Sequence, residues 1–208
     1  VGAYRVVIQN KKIKFDFEIR RNITILRGDS ATGKTSLEEM IQEYEEHGSI
    51  VYVDEGNAIT ALKFAAAIQK TDIYYVLVTR ESLETLPYSV TEIYGIRTSK
   101  HFGDLKQTYN EFFQIYGKSV GTGTLKPAIV ITEDSNSGYQ FFRSVCTESG
   151  IDCKSARGKS NIFKLLLDGK KQEVLVIADG AAFGSQMERI MDLVAIQPNF
   201  HVFLPESV

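Results

Sequence analysis

Tryptophan is absent from this chain of 208 residues, and cysteine, methionine and proline are scarce, with two, three and four copies. The two cysteines, Cys146 and Cys153, lack the paired spacing of a metal site. They fit reduced thiols in a cytoplasmic protein. Because Cys146 stands among apolar residues, we expect it to be a small core residue.

Long apolar runs are also missing, and no segment approaches the ~20 residues that span a bilayer. The first residues lack the apolar region of a signal peptide, so we expect no membrane association. A net charge of −2 argues against a strongly basic coat for nucleic acid. The chain starts with Val1 and stops soon after an apolar run, so we expect a piece of a longer protein, truncated at its C-terminus.

What is present fits a folded protein, with 43% hydrophobic and 24% charged residues. Short apolar segments alternate with helical patterns, which predicts an α/β fold with parallel sheets covered on both faces. A glycine-rich linker at 121–127 separates a first domain, 1–120, from a second, 128–208.

Hydrophobic periodicity predicts the individual elements of both domains. Strands are predicted at 4–9, 13–19, 23–26, 50–53, 74–78, 92–96, 128–131, 174–178 and 201–204. Helices are predicted after residue 33, over 59–66, 105–116, 138–148, 161–167 and 186–194. We expect Asn10, Lys11 and Lys12 to form the turn of a hairpin between the first two strands.

Residues 28–35 match the phosphate-binding pattern GxxxxGK[ST] in full, between a predicted strand and a predicted helix. The eight positions are Gly28, Asp29, Ser30, Ala31, Thr32, Gly33, Lys34 and Thr35. Glycines let backbone N–H groups turn toward a phosphate, and the helix start adds about half a positive charge. The motif predicts ATP binding with Mg²⁺, with Lys34 on the β- and γ-phosphates and the Thr35 hydroxyl on the metal.

The apolar strand at 50–53 ends at two acids, Asp54 and Glu55. Beside a phosphate-binding loop, Asp54 would hold Mg²⁺ through water and Glu55 would polarise the attacking water. The alternative is that both are solvated carboxylates that cap the next helix.

The order of this loop, VYVDEG and YYVLVTRE resembles the nucleotide-binding core of ABC-type ATPases, including the RecF and OLD (overcoming lysogenization defect) groups. The resemblance implies a residue pair that senses the γ-phosphate, here Thr79 and Arg80, with arginine in place of the usual histidine. It also implies an aromatic that stacks on adenine, here Tyr4, although a core strand position is the alternative.

This chain differs from those families in the segment that joins the phosphate-binding loop and its helix to the next strand. Only 18 residues separate Thr35 from Asp54, and no LSGGQ-like signature loop occurs. Family members insert a long helical region there, whose signature loop completes the partner's ATP site. Robust hydrolysis by the family's sandwich dimer is therefore not expected, although a homodimer stays a candidate assembly.

The second half resembles a Toprim-like domain, the fold of topoisomerases, primases and OLD-type nucleases. The resemblance rests on AIVITEDSNSGYQFF, SARGKSNIFKLL and EVLVIADGAAFGSQMERIM, which contain Glu133, Lys159 and Asp179. It implies that Glu133 and Asp179 gather Mg²⁺ or Mn²⁺ for phosphodiester cleavage, while Lys159 holds the scissile phosphate.

Two departures weaken this second resemblance. The family's second aspartate is Ala181 here, and the glycine that usually follows the first glutamate is Asp134. Asp134 or Glu188 would have to supply the missing ligand. The alternative is a parallel α/β domain whose strand-end acids cap helices.

Together the motifs predict a P-loop NTPase-like sheet with flanking helices, followed by a smaller, parallel Toprim-like α/β domain. Our leading hypothesis is a reduced OLD-type protein that binds ATP and acts on or near DNA. The alternatives are a small-molecule or nucleotide kinase and a non-catalytic, nucleotide-gated binding module.

Overall fold

The computed structural model describes residues 3–28, 33–42, 50–53, 62–99, 108–116, 124–168, 171–179 and 184–205. The chain divides into two compact units, residues 1–117 and 118–208, and each unit is α/β. None of the helices within the described ranges combines the length and apolarity that crossing a bilayer requires.

Over its described residues, the first unit contains seven strands in one sheet of order β1-β2-β7-β6-β3-β5-β4. Its strands are β1 (Tyr4–Gln9), β2 (Ile13–Ile19), β3 (Ile23–Leu26), β4 (Ile50–Val53), β5 (Tyr74–Val78), β6 (Ile93–Ser99) and β7 (Thr108–Gln114). Its helices are α1 (Lys34–Gln42) and α2 (Leu62–Ile68), with a short 3₁₀ turn at Val90–Glu92.

The predicted hairpin between β1 and β2 is confirmed. The Asn10 side-chain oxygen accepts hydrogen bonds from the backbone N–H groups of Lys12 and Ile13, each at 2.8 Å. Asparagine favours turns because its side chain makes such local bonds. The alternation of β2 is confirmed too, since Phe15 and Ile19 are fully buried on one face.

The first sheet is mixed rather than parallel throughout. The predicted hairpin pairs β1 antiparallel with β2, and β6 also pairs antiparallel with β7, which the expectation of parallel sheets did not include. The prediction of a helix over 105–116 is wrong wherever the structure describes it, since Thr108–Gln114 is strand β7. The spacing of Tyr109 and Phe112 mimics a helical face. Pairing of β7 with β2 and β6, and its aromatic content, favour the strand instead.

The first sheet curls around α1. Leu37 and Met40 of this helix belong to a core that also holds residues of five strands: Ile8, Phe15, Phe17, Ile19, Leu26, Val76, Val78, Tyr94 and Ile96. The curl brings the Tyr4 ring against Tyr74, at 4.8 Å between centroids, although four strands separate β1 from β5 in the sheet. Tyr4 is 55% exposed, so its prediction as a core residue is wrong.

In the part of the second unit that the structure describes, four parallel strands follow the order β11-β10-β8-β9. Its elements are β8 (Ile129–Thr132), α3 (Ser137–Glu148), β9 (Asp152–Ser155), α4 (Lys159–Asp168), β10 (Val174–Ile177), α5 (Gly184–Ile196) and β11 (Phe200–Phe203). Strand β9 was not predicted, because it lies at a sheet edge, and neither Asp152 nor Lys154 is apolar.

The strand order of this unit determines where its helices lie. The chain leaves β8 toward β9 on one side, whereas it leaves β10 toward β11 on the other side. Right-handed crossovers then place α3 on one face and α4 and α5 on the opposite face. The packing of α4 against α5 agrees with this arrangement. The carboxyl ends of β8 and β10 therefore flank a crevice, which is the usual ligand position in open α/β sheets.

Candidate functional site

A hydrogen bond joins the two sides of the turn between β3 and α1. The Lys34 ammonium donates a hydrogen bond to the carbonyl oxygen of Gly28. Gly33 has φ +89°, a conformation that other residues rarely adopt. Asp29, Ser30, Ala31 and Thr32 of the predicted phosphate loop lie outside the described residues.

Helix α1 begins directly after this turn, and its first intrahelical bond runs from the N–H of Leu37 to the carbonyl of Gly33, at 3.0 Å. The preceding N–H groups, those of Lys34 and Thr35 among them, have no acceptor within the helix. The first turn of α1 contains no acidic residue. No acidic side chain of this turn therefore neutralises the positive end of the helix, which favours an anionic ligand.

Two residues that pair across the neighbouring strands β2 and β7, Phe15 and Asn110, form the floor beneath Gly33. A Cβ built at Gly33 would lie 3.7 Å from Phe15 Cζ and 3.7 Å from Asn110 Nδ2, which is ordinary contact. Backbone conformation rather than space therefore demands glycine here. Asn110 is buried, and its side-chain oxygen accepts a hydrogen bond of 3.1 Å from the Thr98 hydroxyl. Sequence reasoning missed this floor, because nothing local to Asn110 marks it.

The ends of three strands line up beside the turn. In the sheet register Leu26 pairs with Val78, and Leu77 pairs with Val53. Because neighbouring strands lie about 4.8 Å apart, the end of β4 is about 10 Å from that of β3. Asp54 and Glu55 follow Val53 directly and lie outside the described residues.

The predicted phosphate-sensing pair follows β5, at this same edge of the sheet. The N–H of Thr79 donates to the carbonyl of Leu26 at 3.2 Å, and its hydroxyl accepts from the N–H of Glu81 at 3.0 Å. Thr79 is buried and Arg80 is exposed. Both residues are thus placed one strand away from Gly28.

In the second unit the structure brings together the three residues predicted as catalytic. The N–H of Glu133 donates to the carbonyl of Ile177, and the N–H of Gly158 donates to the carbonyl of Glu133, both at 3.0 Å. The Glu133 carboxylate accepts a hydrogen bond from the backbone of Asp179. Glu133, Lys159 and Asp179 therefore converge in the crevice at the carboxyl ends of β8 and β10.

Glu133 experiences opposing influences there. Partial burial raises the pKa of its carboxyl, and the nearby charges of Asp179 and Asp134 act in the same direction. The backbone hydrogen bond from Asp179 and the positive charge of Lys159 lower that pKa, but burial prevails.

Asp134, which was considered as a metal ligand, instead binds backbone N–H groups. Its two carboxylate oxygens accept hydrogen bonds of 2.9 Å from the N–H groups of Asn136 and Gly138 at the start of α3. These bonds hold the pKa of the Asp134 carboxyl below its usual value. Asp134 thus stabilises the start of α3, whose N-cap residue is Asn136.

The residues present do not fit a two-metal centre. Across the ranges that the structure describes, no group of three or more acidic, histidine or cysteine side chains is arranged to hold a metal ion. Glu188, the other residue considered as a ligand, is buried in α5 and does not complete such a group. Glu133 and Asp179 remain as two carboxylates beside the Lys159 ammonium.

Comparison of the chain with family models, with curated proteins and with solved structures gives no match. A function must therefore be argued from the geometry of the two sites and from the motifs themselves.

Proposed function

We propose that the first unit binds ATP with Mg²⁺ at the turn between β3 and α1. The observation that carries this proposal is the bond from Lys34 to Gly28, which holds the lysine ammonium near the positive end of α1. The left-handed conformation of Gly33 beside this bond also supports a phosphate site at the start of the helix.

The residues fit the phosphates of a nucleotide. On binding, the Lys34 ammonium exchanges the neutral carbonyl of Gly28 for phosphate oxygens, and charge-assisted hydrogen bonds of this kind are the stronger ones. Thr35, the second residue of α1, would hold Mg²⁺ through its hydroxyl. The metal supplies neutralisation of charge on the β- and γ-phosphates.

The short connection between Thr35 and Asp54 supports a nucleotide-gated binding module rather than a fast ATPase. Its 18 residues leave no room for a helical region bearing a signature loop. We therefore propose a reduced OLD-like arrangement, in which an ATP-binding unit precedes a small α/β unit and DNA is the candidate partner.

Isothermal titration of ATP–Mg²⁺ into the full chain tests the binding site. We expect Lys34→Ala to abolish binding, because the variant loses the cation that faces the phosphates. Lys70→Ala, at an exposed position just after α2 in the same unit, is the matched control and should bind like the wild type. Equal affinity of Lys34→Ala and wild type would exclude this site.

Phosphate release with and without double-stranded DNA tests the second part of the proposal. A binding module holds ATP through Lys34 with little turnover in either condition. Turnover on the order of 1 s⁻¹ or faster that is lost in Glu55→Gln would instead establish an active ATPase.

A further inference from the structure

The crevice of the second unit contains its own cation. Lys159 is joined to this site through the backbone, because it follows Gly158, whose N–H donates to the carbonyl of Glu133 at 3.0 Å. Glu133 and Asp179 come from neighbouring strands, and the backbone of Asp179 donates to the Glu133 carboxylate. One ammonium and two carboxylates thus share the end of the sheet.

The position of Lys159 in α4 indicates why it is there. It is the first residue of this helix, where the positive end of the helix dipole disfavours a cation. No acid stands in the first turn of α4 to compensate. The Glu133 carboxylate lies close enough for the positive charge of Lys159 to lower its pKa.

Across the described residues, no third acidic, histidine or cysteine side chain joins Glu133 and Asp179 in a metal-binding group. A divalent ion would have to displace the Lys159 ammonium to reach these two carboxylates. Divalent cations such as Mg²⁺ and Ca²⁺ are held by several oxygens with enough negative charge to replace hydration. Asp134 is committed to the N–H groups at the start of α3, and residues 180–183 contain no acidic side chain. The Lys159 ammonium already offsets one of the two carboxylate charges without a metal.

We infer that the Lys159 ammonium takes the place of the divalent cation between Glu133 and Asp179, so that this crevice binds no Mg²⁺ or Mn²⁺. The second unit then has the strand-end acids of a metal-dependent site, but the Lys159 side chain supplies the positive charge in place of a metal ion. The inference stands independently of nucleotide binding in the first unit.

Titration of Mn²⁺ alone into the nucleotide-free full chain, followed by electron paramagnetic resonance, tests the inference. We expect Glu133→Gln and Asp179→Asn to bind the same amount of Mn²⁺ as the wild type. Loss of a bound ion in either variant would overturn the inference.

Lys159→Met provides the complementary test, since it removes the ammonium and keeps a side chain of similar length. We expect it to bind one Mn²⁺ that the wild type does not bind. Mn²⁺ should also raise its melting temperature. Lys159→Arg, which keeps the charge, should gain nothing, and the gain should disappear in the double variant Glu133→Gln/Lys159→Met.

A Lys159→Met protein that folds and gains no Mn²⁺ would overturn the inference, because the vacated place would not be a cation site. Should this variant fail to fold, the comparison of wild type with Glu133→Gln and Asp179→Asn still decides.

Discussion

The ring of Phe113 lies directly over Gly95, its partner on the neighbouring strand of the first sheet. A Cβ at Gly95 would stand 2.5 Å from Phe113 Cζ, which is closer than real atoms approach. The guanidinium of Arg97 lies 5.4 Å from the centroid of the same ring. Space for an aromatic ring, rather than backbone conformation, therefore calls for glycine at position 95.

We predict that Gly95→Ala lowers the free energy of unfolding by about 1–2 kcal/mol, because the ring must swing away and lose its contacts. In a Phe113→Ala background the same change should cost almost nothing. Urea unfolding of the four proteins of this double-mutant cycle measures the coupling. Equal costs of Gly95→Ala in both backgrounds would contradict the clash.

We predict that Asp134→Ala destabilises the second unit at neutral pH, because the N–H groups of Asn136 and Gly138 lose their acceptor. The folded pKa of Asp134 is depressed, so its contribution is present above the unfolded value of 3.8 and is lost as the pH falls through the folded value.

Thermal unfolding of wild type and Asp134→Ala between neutral and acid pH measures this effect. The two melting temperatures should converge in acid, and Asp134→Asn should lie between them because it keeps one acceptor. A constant difference down to the lowest pH would rule out the ionised cap.

We predict that Tyr94 makes the first unit sensitive to alkali. Burial, together with the charge of Glu92, raises the pKa of its hydroxyl from 10.0 to about 12. An unfolded chain therefore ionises this tyrosine first. Its contribution to stability is complete below pH 10 and is lost as the pH rises toward about 12.

Unfolding in urea near pH 9 and near pH 11 measures this loss, with Tyr94→Phe as the control that lacks the ionising group. The wild type should lose more stability between the two conditions than the variant. Identical losses would show that Tyr94 ionises as readily in the folded protein.

We predict that Cys153 reacts slowly with iodoacetamide in the native protein. Burial, the neighbouring Cys146 thiol and a hydrogen bond with it raise the pKa of Cys153 from 9.0 to about 11. Because thiolate is the nucleophile, the reactive fraction near pH 8 falls about a hundredfold. Mass spectrometry should find Cys153 labelled at an ordinary rate only after unfolding, and equal rates in both states would refute the prediction.

Local patterns predicted much of the first unit. The alternation of Phe15 and Phe17 and the turn residue Asn10 act between near neighbours, so the hairpin follows from sequence alone. Strand β7 does not, because the spacing of Tyr109 and Phe112 also suits a helix. Pairing with two partners, one of them distant in sequence, decides its conformation.

The two candidate sites also differ in how far local sequence patterns predict them. Glycine and lysine spacing identifies the turn at Gly28 and Lys34, because the motif is continuous. The resemblance of the second half to a Toprim-like domain predicted that Glu133 and Asp179 lie together, although no local pattern encodes the strand order that brings them there. The commitment of Asp134 to helix capping is likewise a matter of where α3 begins.

The enclosure of α1 by the curled sheet has a consequence for detecting ligands. The helix that begins at Lys34 also carries Leu37 and Met40, which belong to the same hydrophobic core as Ile8 and Phe17. A ligand that stabilises the first turn of α1 therefore makes local opening of this hydrophobic core less frequent. Amide protons of β1 and β2, which lie outside the phosphate loop, should exchange more slowly with deuterium when ATP is present. Hydrogen exchange in these two strands would then report ATP binding at the loop.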